Sequence, residues 1–176
     1  MFNNNYFLWL NQCQTRYIWD TSYYAPCDYI GIKDINDTEI GIVFACDDPS
    51  RIWGNRSLTT NISLRASSSK SNPDITTCTL EDDITSSITV GEITASTASS
   101  PEGRSVMFST SVSNSSNSQI TINSFALCKT TDGQSSDGSW TNDPFIFMIC
   151  DLDEPLVLEA GQSVNVLLTT NEVSIS

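Results

Sequence analysis

Histidine is absent from this sequence, and only eight lysines and arginines stand against twenty-one aspartates and glutamates. Without imidazole the chain lacks the commonest general base and the commonest metal ligand near neutral pH. It also carries no nucleophile elbow, no P-loop and no dinucleotide fingerprint. Its cysteines are never set as Cys-x-x-Cys, so the ligand spacing of zinc sites is missing as well. A formal net charge of −13 repels phosphate backbones and argues against nucleic acid as a partner. No run approaches the roughly 20 apolar residues a membrane span needs. Met1 to Leu10 lacks a basic n-region, and its apolar run is only Tyr6 to Leu10, so no signal peptide is expected. These absences point to a soluble protein made in a cytoplasm. It is expected to be no enzyme, to hold no cofactor or metal, and to contact neither nucleic acid nor membrane.

Strong helix formers are also scarce. Ser, Thr, Asn and Asp dominate the non-apolar positions, and they favour turns and strand ends by bonding their own backbone. The apolar share of 39% is enough for one sandwich-sized core. The expected class is therefore all-β, with helices of a turn or two at most.

The period-2 signal supports this. Val106, Phe108 and Val112 alternate with Ser105, Ser109 and Ser111, one face inward and one face wet. Ile62, Leu64 and Ala66 alternate with Ser63 and Arg65, and Ile84, Ile88 and Val90 fall on even positions in a Ser/Thr background. Ile40, Ile42, Phe44 and Cys46 share one face of a segment that Asp47-Asp48-Pro49 ends. Between Gln119 and Lys129 the parity changes, from Ile120 and Ile122 to Phe125 and Leu127. Such a change implies a bulge near Asn123 or Ser124, or a short break. Phe145 to Cys150 is continuously apolar, as a strand buried on both faces would be. Leu156 and Leu158, then Val164, Val166 and Leu168, form two short strands about Glu159-Ala160-Gly161. Ser67 to Pro73 and Thr130 to Asn142 read as loops by composition. Short strands between polar turns predict an antiparallel β-sandwich, Ig-like or jelly-roll.

Residues 1–37 differ from the rest. They are crowded with aromatics that follow no period. Two readings stand: a docking arm that packs on a neighbour, or the first strands of the same domain. The domain proper is placed at residues 38–176. In the arm reading Tyr6, Phe7, Trp9, Tyr17, Trp19, Tyr23 and Tyr24 are the interface candidates, because buried aromatics anchor protein contacts.

Other groups have structural readings. Asp47-Asp48, Glu81-Asp82-Asp83 and Asp151-Asp153-Glu154 sit at predicted strand ends, where carboxylates cap turns. None has the EF-hand spacing, and paired-carboxylate hydrolysis needs a pocket the sequence does not suggest. Cys13, Cys27, Cys46, Cys78, Cys128 and Cys150 are expected to be mostly reduced and to pack as small hydrophobes. Cys13 with Cys27, or Cys128 with Cys150, are the pairs considered for a disulfide formed outside the cell. Trp9, Trp19, Trp53 and Trp140 form no tight spaced set, so core or interface packing is favoured over sugar stacking. Sequons at Asn36, Asn55, Asn61 and Asn114 arise readily in a chain of this composition.

Two stretches carry a resemblance. The first is Leu64-Arg65-Ala66-Ser67-Ser68-Ser69, then Asn72-Pro73-Asp74 and Leu80-Glu81-Asp82-Asp83-Ile84. The second runs from Ile120-Thr121-Ile122-Asn123-Ser124-Phe125-Ala126-Leu127 through Phe147-Met148-Ile149-Cys150-Asp151 to Pro155-Leu156-Val157-Leu158-Glu159-Ala160-Gly161-Gln162-Ser163. Together they resemble a group of small β-sandwich structural proteins of tailed bacteriophages. The resemblance covers about the C-terminal two-thirds. Phe125-Ala126 stands where that group has Ile-Gly, and Gln162 where it has Glu. It implies a virion component made in the host cytoplasm, a head decoration, neck or tail accessory protein. Its partners would be other virion structural proteins, met as a homo-oligomer or in a symmetric array. A carbohydrate-binding or adhesin module, with a glycan as partner, is the alternative.

Overall fold

A computed structural model describes residues 2, 5, 32–42, 61–73, 76–100, 103–130, 133–135, 140–141, 144–169 and 173–175. The strands among them are β1 (Ile32–Lys33), β2 (Glu39–Ile42), β3 (Ile62–Ser67), β4 (Ile88–Val90), β5 (Thr94–Ser100) and β6 (Gly103–Asn114). They continue as β7 (Ile120–Lys129), β8 (Gly133–Ser135), β9 (Trp140–Thr141), β10 (Phe145–Leu158), β11 (Ser163–Thr169) and β12 (Val173–Ile175). A single 3-10 turn, Thr85–Ser87, precedes β4. The chain is an antiparallel β-sandwich, as expected: two sheets pack against each other. One has the order β10-β7-β3. The other has the order β12-β11-β6-β4, with β5 also paired to β6. A small third sheet runs β1-β2-β8-β9.

β6 shows how the sequence builds this. Phe108 and Val112 are buried on its inner face, while Ser109 and Ser111 on the other face are exposed. Thr110 shares the inner parity, and its hydroxyl donates to the Gly91 carbonyl at 3.0 Å, so no buried hydroxyl is left unpaired there. The inner faces of the two large sheets meet in one core. Leu64 and Ala66 of β3, Phe125 and Leu127 of β7, and Phe145 and Phe147 of β10 face Phe108, Val166 and Leu168. Phe108 and Phe147 meet edge to face across it, centroids 6.1 Å apart at 61°. Each fully buried Phe or Leu contributes about 1.5–3 kcal/mol.

β10 is buried on both faces from Phe145 to Ile149, as its unbroken apolar run predicts. Ile146 and Ile149 join Ala126 and Cys128 in a second, smaller core, against which Ile35 and Leu80 pack. The three-stranded sheet is therefore a middle layer.

The parity change in β7 is also present: Ile122, Phe125 and Leu127 all belong to the main core. The surplus residues, however, lie in the partner strand. Asp151 faces Ser124 and Leu156 faces Ile122, so β10 takes five steps where β7 takes two. Pairing of β7 with β3 stays regular through Ser124.

Three expectations are corrected. Leu156 and Leu158 form no separate strand: β10 runs from Phe145 to Leu158, so Asp151, Asp153 and Glu154 lie within it at a bulge rather than at a strand end. Thr130 to Asn142 is not wholly loop, because β8 and β9 lie within it and β8 pairs with β2. Ladder bonds need only backbone, so a Gly/Ser-rich segment can pair without any hydrophobic pattern. Cys128 and Cys150 are both free. Cys128 faces the second core and Cys150 the main one, on opposite faces of the sheet, so they cannot bridge.

The sheets are joined at one end by the turn after β10. Gly161 adopts φ +75°, the left-handed conformation glycine reaches without steric cost. The chain then crosses from β10, which pairs with β7, to β11, which pairs with β6.

Candidate interaction surface

Several charged groups of this fold hold backbone or one another. Asp83 receives Arg65 Nε at 2.8 Å, and Arg65 Nη2 on the same oxygen. Its other oxygen accepts the Thr85 amide at 2.7 Å. Desolvation pushes its carboxyl up, but the bonds from Thr85 and Arg65 together outweigh this and hold it below the usual value. Asp151 accepts the Ser71 and Asn72 amides, at 2.9 and 2.8 Å, one on each oxygen. Lys70 Nζ reaches the Asp153 carbonyl at 3.1 Å. Asp34 Oδ1 accepts the amides of Asn36 and Thr38, both at 2.8 Å, and shapes the turn between β1 and β2. Two of the three acidic clusters thus fasten loops, and Asp47-Asp48 lies outside the described residues. Among the described residues no three His, Cys, Asp or Glu side chains are grouped to hold a metal ion.

The described thiols are not poised as nucleophiles. Burial pushes the Cys128 thiol up to about 12. Burial raises Cys150 as well. Cys78 is raised by burial first, and then by its bond to Asp37. That thiol donates to Asp37 Oδ1 at 3.3 Å, an oxygen that Lys33 Nζ also reaches at 2.7 Å.

Two buried asparagines have structural roles that the sequence did not mark. Asn114 is 1% exposed. Its amide nitrogen donates to the carbonyls of Ser118 (2.7 Å) and Leu158 (3.0 Å). Its side-chain oxygen accepts the Ser116 amide and hydroxyl, at 2.9 and 2.7 Å. It locks the turn after β6 to the end of β10, across the two sheets. A sequon Asn so placed offers no nitrogen to solvent. A similar device sits near the N-terminus. The Asn5 amide nitrogen donates to the Lys33 and Ile146 carbonyls at 2.7 and 3.1 Å, and its oxygen accepts the Lys33 amide at 2.9 Å. Beside it Phe2 bridges to Met148 and stacks on Phe147, centroids 6.4 Å apart. The division between residues 37 and 38 falls at the turn of the β1–β2 hairpin.

The remaining surface of interest is the outer face of the five-stranded sheet. Register places Thr89, Ser113 and Ser163 in one row, Ser111 beside Asn165, and Thr94 beside Ser109. Most of these side chains are exposed and none is charged. On a chain of net charge −13 these rows form a hydroxyl-rich face, with the half-buried Met107 and Leu167 also on it. It can exchange hydrogen bonds with a partner but has no group able to activate a substrate.

The interface candidates Tyr6, Phe7, Trp9, Tyr17, Trp19, Tyr23 and Tyr24 lie outside the described residues, as do Trp9's fellow indoles Trp19 and Trp53 and the pair Cys13 and Cys27. Trp140 stands in β9, paired with Gln134 of β8. No helix among the described residues is long and apolar enough to cross a membrane. No family model, no curated protein and no solved structure matches this chain.

Proposed function

We propose that this chain is a structural, non-enzymatic module of a larger assembly, and that the assembly is a tailed-phage particle. There it binds other virion proteins through symmetric contacts, as a head decoration, neck or tail accessory protein. The observation that carries the non-enzymatic reading is the use of its polar groups. Asp83, Asp151, Asn114 and Asn5 each bond backbone groups. What the register of the large sheet places on its outer face is mainly uncharged Ser, Thr and Asn. Such a surface suits association, where complementarity rather than reactive chemistry is required. The phage assignment rests on the resemblance of the C-terminal two-thirds. Imaging particles assembled without this gene tests it: density missing at one site of head, neck or tail supports it. Particles identical to the intact ones would rule out a fixed virion part.

The same hydroxyl-rich face favours one second reading, a module that binds a host glycan. A glycan array with the whole chain separates the two, because a virion part with no receptor role leaves every spot blank.

A further inference from the structure

The sheet edges of this protein are not treated alike. The β10 edge is stitched over by Phe2 at Met148 and by Asn5 at Ile146. Further along, it carries the three surplus residues, with Asp153, Glu154 and Pro155 among them. The β3 edge is covered where Ile84 donates to the Ala66 carbonyl at 2.9 Å and Ser68 donates to the Asp82 carbonyl at 3.1 Å. β4 is cut short by a bulge: Val90 faces Val112 and Thr94 faces Ser109, four steps against three. Clips, covers, charges, prolines and bulges are the devices by which proteins keep sheet edges from pairing with other chains.

β5 has none of them within its length. Its seven residues read Thr-Ala-Ser-Thr-Ala-Ser-Ser, with no charge and no proline. All seven pair with β6 on one side, and among the described residues nothing pairs on the other. β11 reaches along β6 only to Met107, so the Gly103–Val106 end of the β5–β6 hairpin has no third strand among the described residues. From Ile93 to Pro101 the sequence is free of charge, in a chain where acidic residues outnumber basic ones by 21 to 8.

We propose that the outer edge of β5 pairs, antiparallel, with β5 of a second copy of this chain. Charge leaves this edge open to a second copy. Two bodies of net charge −13 repel over most of their surfaces, and a neutral edge is where two such copies can touch. The segment is also self-complementary. Read in either direction it presents only Ser, Thr and Ala, so a two-fold contact opposes small residues in any register. Pairing would join the two five-stranded sheets and make their hydroxyl faces continuous. The inference builds on the assembly reading by naming one of its contacts, but its test uses the purified chain and no particle. It can therefore fail while the particle assignment stands, and the reverse.

Sedimentation of the full chain at rising concentration, at low and at high salt, gives the first measurement. A dimer is expected, strengthened by salt because screening weakens the repulsion between acidic copies. Hydrogen exchange should show protection of residues 94–100 rising with concentration. Ser96 is exposed on β5, so Ser96→Lys and Ser96→Glu should both abolish the dimer and leave the melting midpoint unchanged at concentrations where the parent is monomeric. A chain monomeric at every concentration and salt overturns the proposal. So does a dimer protected elsewhere, or one that Ser96→Lys strengthens, since that would be general charge attraction.

Discussion

At the scale of single residues, Asn114 shows how much a small polar side chain can hold. It is buried at the junction of two sheets and makes four hydrogen bonds, all to groups of turns or strand ends. Ala at this position removes those bonds and strands the amide and carbonyl groups they satisfied. Asn114→Ala should lower unfolding free energy by about 2–4 kcal/mol, read from urea denaturation. The thiols offer a chemical prediction. Thiolate is the reactive form, and Asp37 disfavours it at Cys78 by accepting the proton in a hydrogen bond and by its charge. Asp37→Asn should therefore speed alkylation of Cys78 at neutral pH, followed by peptide-resolved mass spectrometry. Asn tolerates the φ of +63° that Asp37 adopts, so the turn should survive the change. In the same native sample Cys128 should stay unlabelled, being fully buried with its thiol held at about 12. Labelling of Cys128 at the rate of Cys78 would mean that the second core opens readily.

At the scale of elements, the Arg65–Asp83 pair ties the strand β3 to the segment that covers its edge, where Ser67 bridges to Asp83. The folded Asp83 carboxyl lies below its ordinary value of about 3.9. A carboxyl shifted this way stabilises the fold above its unfolded pKa, and the stabilisation is lost as pH falls through the folded one. The unfolding free energy of Asp83→Asn, read from urea denaturation, should fall below that of the parent near neutral pH by about 1 kcal/mol for so partly exposed a pair. The gap should begin to close below about pH 4 and vanish in stronger acid. A gap independent of pH would mean that the ionised form of Asp83 does not carry the effect. These elements also show what sequence can reveal. The inner face of β6 was legible because Val106, Phe108 and Val112 repeat every second residue, and β10 because five successive buried residues are apolar. The parity change in β7 was legible too, but a single strand cannot say which partner carries the surplus; that depends on β10. Strands β8 and β9 left no mark, since Gly133, Gln134 and Ser135 carry no apolar alternation and a backbone ladder needs none. Asn114 and Asn5 were hidden among many asparagines, and only the fold distinguishes them. The neutral face was half visible, in Ser109 and Ser111, but its rows require the register of β4, β5, β6 and β11.

At the scale of the whole molecule, Phe2 and Asn5 tie the start of the chain to the sandwich. Deleting Met1 to Asp28 looks like a direct test of a docking arm, but the fold makes it ambiguous. Phe2 stacks on Phe147, which itself touches Phe108 of the opposite sheet, and Asn5 joins Lys33 to Ile146. Removing both residues takes away an aromatic contact and three partly or wholly buried hydrogen bonds. The loss should be about 3–5 kcal/mol, enough to threaten a domain of ordinary stability. Such a deletion could abolish binding simply by unfolding the protein. Substitution separates the effects. Phe2→Ala with Asn5→Ala should lower the melting midpoint. Trp9→Ser with Tyr17→Ser and Trp19→Ser should leave it in place and yet remove binding to particles, because anchors presented to a partner add nothing to the free chain. If those three changes lower the midpoint as far as the first pair does, the aromatics belong to the domain's own packing. The contacts that place the protein in an assembly must then lie on the sandwich.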